Sequence, residues 1–98
     1  MEIKKVTSGN ECTLTVIGRL DTTTSPKLEA ELKSCLDGIQ KLIFDLAELE
    51  YLSSMGLRVL FAAQKRMNKQ GSMTVRHVNE AVMEVFEVTG FADILTIE

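Results

Sequence analysis

The hydrophobic and polar positions of this chain change period several times, and each change marks an element. Ile3 to Thr7 is a short apolar stretch, and Ser8-Gly9-Asn10 behind it is a turn signal. Cys12-Thr13-Leu14-Thr15-Val16-Ile17 alternates and is rich in β-branched residues, which predicts a hairpin with one half-solvated face. Gly18-Arg19-Leu20-Asp21 leaves that strand. Thr22, Thr23, Thr24 and Ser25 then lead to Pro26, which the first helical turn tolerates. Leu28, Leu32, Cys35, Leu36 and Ile39 fall on one helical stripe, with Gly38 as its stop.

Lys41-Leu42-Ile43-Phe44-Asp45-Leu46 is a short continuous apolar run, the pattern of a strand covered on both faces. A loop from Ala47 to Ser53 follows. Leu57, Leu60, Phe61, Gln64 and Met67 then recur at helical spacing, with Arg58, Lys65, Arg66 and Lys69 toward solvent and Gly71 at the close. Met73 to Val78 reads as another strand. Asn79 caps a helix from Glu80 to Val88 that turns Val82, Val85 and Phe86 inward and ends at Gly90. Phe91, Ile94, Leu95 and Ile97 finish with a short strand. The order β-β-α-β-α-β-α-β predicts a small α/β domain, residues 1–98, with a mostly parallel sheet, an opening antiparallel hairpin and right-handed crossover helices.

Ninety-eight residues suffice for one modest core and leave nothing for a second domain. Fourteen acids against eleven bases give a net charge of −3, and neither half of the chain is a basic arm. With no Trp, one Tyr and four Phe, a base-stacking platform is hard to build, so direct nucleic-acid binding is not expected. No run approaches eighteen apolar residues, and no apolar segment follows Met1-Glu2-Ile3-Lys4-Lys5. The expectation is a cytoplasmic, unanchored protein, with a monomer as the default state. Cys12 and Cys35, with no CxxC and no His cluster, read as free thiols.

Most catalytic chemistry has no residues to run on. Neither GxxxxGK[ST] nor GxGxxG occurs, and there is no GxSxG elbow. His77 is the only histidine and has no ligand set around it, so no metal and no cofactor is expected. A phosphocarrier would place its Cys or His in a loop that begins a helix, whereas Cys12, Cys35 and His77 fall within strand or helix patterns.

One segment does carry a mechanism. Glu50-Tyr51-Leu52-Ser53-Ser54-Met55-Gly56-Leu57 joins a buried parallel strand to a helix, at the strand ends where α/β sheets gather function. A serine here can act as an N-cap, contributing about 1 kcal/mol. With two serines, one can cap while the other presents its hydroxyl as a phosphoryl acceptor, beside backbone amides and the positive end of the helix dipole. The kinase would supply base, metal and nucleotide, so the acceptor needs no catalytic residues of its own.

At these residues the chain resembles a known family. Gly18-Arg19-Leu20-Asp21 with its Thr-rich turn, Tyr51 to Leu57, and Val82 to Phe86 followed by Thr89-Gly90-Phe91 and Ile94-Leu95 resemble the STAS domain, more narrowly the bacterial anti-sigma factor antagonists. The resemblance implies a serine phosphorylated by an anti-sigma factor that is itself a serine kinase. The unphosphorylated antagonist binds that kinase and frees a sigma factor, and a PP2C-like phosphatase restores the serine. The family pattern Asp-Ser-(Ser/Thr)-Gly-Leu lays Ser54 on the acceptor, Gly56 on the glycine and Asp21 on the acid of Gly-x-Leu-Asp.

Two positions depart from that pattern: Ser53 stands in place of the Asp, and Met55 in place of the second hydroxyl. Ser53 keeps a good cap, removes one negative charge and becomes a rival acceptor. The partner surface implied comprises Asp21, Thr22, Thr23, Thr24, Ser53, Ser54, Met55, Gly56 and Arg58. The missing Asp supports a second reading, a non-phosphorylated STAS scaffold or subunit of a transporter-associated or signalling assembly.

Overall fold

The computed structural model describes residues 1–98. Strand β1 (Glu2–Ser8) returns through Gly9-Asn10 into β2 (Glu11–Leu20), the two paired antiparallel from Glu2↔Ile17 to Ser8↔Glu11. There follow α1 (Ser25–Cys35), β3 (Lys41–Asp45), β4 (Leu49–Leu52), α2 (Ser54–Gln70), β5 (Ser72–Arg76), α3 (Glu80–Thr89) and a 3-10 turn, Phe91–Asp93. The sheet runs β1-β2-β3-β5, parallel from β2 onward, while β4 lies off this row and pairs parallel with the far end of β2. This is the expected mixed α/β architecture, with the hairpin supplying the antiparallel strand.

The strands form where the pattern demands. In β2, Cys12, Leu14 and Val16 are buried while Thr13, Thr15 and Ile17 are half-buried, so one face meets the core. Strand β3 buries Leu42, Ile43 and Phe44 in succession, as a strand covered on both faces should. Helix α2 turns Leu57, Leu60, Ala63 and Met67 inward and packs against α1 and β5, and α3 covers β4 with Val82 and Phe86. Phe44, Phe86, Leu14 and Met67 are among the fully buried side chains at the centre. No helix is long and apolar enough to cross a membrane.

The stretch from Ala47 to Ser53, expected as a loop, contains β4. Its register skips a residue, Gly18 opposing Leu49 and Arg19 opposing Tyr51, so Glu50 has no cross-strand partner and the alternation is lost. Gly18, at φ 96°, supplies the left-handed backbone at that irregularity. The closing strand is one bridge, Val75↔Ile97, held by Val75 N–H to the Thr96 carbonyl at 2.8 Å and Glu98 N–H to the Val75 carbonyl at 2.9 Å. Helix α1 ends at Cys35, so Ile39 is buried beyond it rather than on its stripe. Phe61 is exposed and meets the Phe91 ring at 5.8 Å. His77 lies outside β5 at φ 58°, its Nδ1 3.1 Å from the Asp45 carboxylate.

Candidate functional site

The end of β4 fixes the start of α2. Ser53 N–H donates to the Leu20 carbonyl at 2.9 Å, which docks the turn onto the end of β2. Ser53 is extended (φ −93°, ψ 172°), and its hydroxyl accepts from Gly56 N–H at 3.3 Å, while its carbonyl accepts from Leu57 N–H at 3.0 Å. Ser53 is therefore the N-cap, half-buried and fully engaged. Ser54 is the first helical residue; it is exposed, and its hydroxyl makes no side-chain hydrogen bond within the protein. Ser53 thus caps the helix, and Ser54 stands exposed beside it.

Gly56, expected on the partner surface, is buried beneath the turn. A Cβ there would lie 2.8 Å from both Leu20 Cγ and Leu52 Cδ1. Its function is to let the helix start press against the ends of β2 and β4, and it offers no atom to a partner.

Beside this turn, Asp21 organises the entry to α1. Its carboxylate accepts from the Thr23 hydroxyl at 2.8 Å, Thr23 N–H at 3.0 Å and Thr24 N–H at 3.1 Å. These bonds, the Thr23 hydroxyl first and the Thr24 amide next, hold the Asp21 carboxyl down to about 2, so it is a permanent anion near neutrality. The Thr24 hydroxyl donates to the Arg19 carbonyl at 2.7 Å and accepts from Asp21 N–H at 2.8 Å. Ser25 is buried, with its hydroxyl on the Asp21 carbonyl at 2.5 Å. Thr22 is exposed, with no side-chain hydrogen bond of its own.

Met55 and Arg58, both exposed, line a groove of about 270 Å³ with Ser25, Pro26, Glu29 and Val59, where the first turns of α1 and α2 meet. The structure thus brings Asp21 to Thr24, Ser53, Ser54, Met55 and Arg58 to one end of the sheet. Two residues outside the implied partner surface border it. Tyr51, on β4, is exposed and lies under the Arg19 guanidinium at 4.2 Å, and Arg19 Nε reaches Asp21 Oδ2 at 3.7 Å. Their pairing follows from the Arg19↔Tyr51 register, which is invisible without β4. Cys12, near the opposite end of β2, is buried, and Cys35 is half-buried with its thiol pushed up to about 11, chiefly by burial. Neither thiol joins the site.

A family model for the STAS domain matches residues 2–98. A protein of Bordetella bronchiseptica named as an anti-sigma factor antagonist, BtrV, is 35% identical over 82 residues, covering 82% of this chain and 71% of its own. The anti-sigma-B factor antagonist of Bacillus subtilis is 28% identical over 89 residues, covering 90% of this chain and 82% of its own. Among solved structures, an anti-sigma factor antagonist from Mycobacterium paratuberculosis superposes with a TM-score of 0.89 at 24% identity, covering 98% of this chain and 83% of that one. The chain belongs to the STAS domain family.

Proposed function

We propose that this protein is an anti-sigma factor antagonist: a binding switch, not an enzyme, whose unphosphorylated form captures an anti-sigma factor kinase and so releases a sigma factor. The observation that carries this reading is the division of labour at the α2 start, where Ser53 holds the helix and leaves the Ser54 hydroxyl exposed. In the transfer, Ser54 Oγ attacks the γ-phosphorus of ATP held by the kinase, the kinase accepts the hydroxyl proton, and ADP leaves. The helix need not unfold to accept the phosphate, because the amides of its first turn and its dipole favour an anion there. A PP2C-like phosphatase would reverse the step.

The partner surface on this reading is Asp21, Thr22 to Thr24, Met55 and Arg58 around Ser54. A phosphate adds nearly two negative charges to a rim that already holds the Asp21 anion, and so weakens a complementary contact by charge and bulk. The test is to incubate the protein with the anti-sigma kinase of its own genome and ATP, then locate the phosphate by mass spectrometry. Phosphate on Ser54 is expected. Phosphate only on Ser53, or none with a kinase shown to bind, would overturn the switch. Ser54→Asp should weaken kinase binding about tenfold, about 1.4 kcal/mol, with Ser54→Ala retaining it.

One feature favours a second reading, a STAS scaffold that is never phosphorylated: Ser53 stands where the family pattern has Asp. Equal kinase affinity for Ser54→Asp and Ser54→Ala would favour it.

A further inference from the structure

Helix α2 carries Arg58, Lys65, Arg66 and Lys69 and no acid, whereas the rest of the chain holds seven bases against fourteen acids. Two of these cations have a local partner: Arg66 pairs with Asp37 at 2.6 Å, and Lys65 lies over the Phe61 ring at 5.5 Å. Arg58 has none. No carboxylate lies within salt-bridge distance of it, and Glu29, which lines the same groove, pairs with Lys33 at 3.6 Å. Arg58 follows Ser54 by four residues, and both are exposed. Side chains at that spacing share one helix face with Cβ atoms about 6 Å apart, and an anion four residues before a cation is the favoured orientation.

We propose that Arg58 is a shared cation, contested between the partner and the phosphate. With Ser54 unmodified, its guanidinium binds a carboxylate on the anti-sigma partner. With Ser54 phosphorylated, the phosphate captures the same guanidinium within the helix as a charge-assisted pair. Modification then does two things at once: it adds a dianion and it withdraws the cation the partner was using. A carboxylate fits better than a nucleic-acid phosphate backbone, because the surrounding chain is acidic and would repel an extended polyanion while tolerating one local contact. The inference rests on the proposed role of Ser54, so its test installs phosphoserine at position 54 during translation and needs no kinase to do so.

Phosphorus NMR titration of that protein reads the capture directly. The second ionisation of a phosphoserine falls near pH 6. Replacing Arg58 by Gln should raise it by roughly half a pH unit, and Lys69→Gln, about 22 Å along the helix from residue 54, should leave it unchanged. Equal values for the Arg58→Gln and parent phosphoproteins would overturn the proposal. Binding of the unmodified proteins to the anti-sigma kinase reads the other half. Arg58→Gln should weaken it about tenfold, reduce its salt dependence, and shrink the further loss caused by phosphoserine. An Arg58→Gln protein that binds as tightly as the parent would overturn the partner contact. Should the parent bind no anti-sigma kinase, the proposed function falls and the partner half of this inference with it, while the phosphorus titration still decides the capture.

Discussion

Two strand-to-helix turns lie side by side at the ends of β2 and β4, and they use the same residue types in opposite ways. In the Asp21–Ser25 turn, Thr23, Thr24 and Ser25 all spend their hydroxyls on Asp21 or on the backbone beside it, and only Thr22 stands free. In the Ser53–Met55 turn, Ser53 alone does structural work, and Ser54 and Met55 face solvent. The bond from Ser53 N–H to the Leu20 carbonyl joins the two into one surface. The first turn is thus a fixed wall with a fixed charge. The second carries a hydroxyl whose modification would disturb no native hydrogen bond, as the proposed covalent switch requires.

That contrast depends on the second turn being held as firmly as the first despite having fewer bonds, and the missing Cβ of Gly56 is what lets it sit close against Leu20 and Leu52. The largest effect should come from Gly56→Val, which forces a branched side chain into the space occupied by Leu20 and Leu52. Overpacking of this kind costs about 2–3 kcal/mol, or a fall in Tm of roughly 10–20 °C for a domain of this size. The measurement is a thermal melt. A variant that melts with the parent would mean that the helix start is loosely seated and that Ser54 is not held in one place.

The two serines should differ at a smaller scale. Ser53→Ala removes the cap on Gly56 N–H and should destabilise by about 1 kcal/mol, about 4–8 °C in Tm. Ser54→Ala removes a hydroxyl with no partner and should stay within about 0.5 kcal/mol of the parent. Urea unfolding of both variants checks this. The reverse ranking would exchange their roles and make Ser53 the presented hydroxyl.

The parts of the molecule that the sequence made legible are those whose signal is local. The hairpin around Gly9, the Asn79 cap of α3 (Val82 N–H to Asn79 Oδ1 at 2.9 Å) and the buried stripe of α2 all follow from spacing and turn chemistry within a few residues. Strand β4 was not legible, because the register slip between Gly18 and Arg19 leaves Glu50 unpaired and erases the period-two pattern of Leu49 to Leu52. The contact that depends on β4 was lost with it, the stacking of Arg19 on Tyr51, and spacing alone did not show that Ser53 is the serine whose hydroxyl accepts from Gly56 N–H. Phe61 shows a different failure. Its helical spacing matches the core stripe, but its position at the edge of that stripe lets it reach Phe91 on the surface instead.

Asp21 tests the fixed wall rather than the proposed switch. Asp21 has its carboxyl at about 2 in the folded protein against an ordinary 3.8, so between those values the unfolded chain binds the proton more readily. The stability this contributes is fully present above about pH 4 and is lost as pH falls toward 2. In Asp21→Asn the contribution is missing at every pH. The difference in urea midpoint between parent and variant should therefore be largest above about pH 4 and should narrow on acidification. The dominant causes are the Thr23 hydroxyl and the Thr24 amide, both short-range donors. The narrowing should accordingly persist at high salt, where a contribution from the longer Arg19 contact at 3.7 Å would be screened. A narrowing that vanishes in salt would reassign the Asp21 anion to Arg19, and the first turn would then be as open to a competing charge as the second.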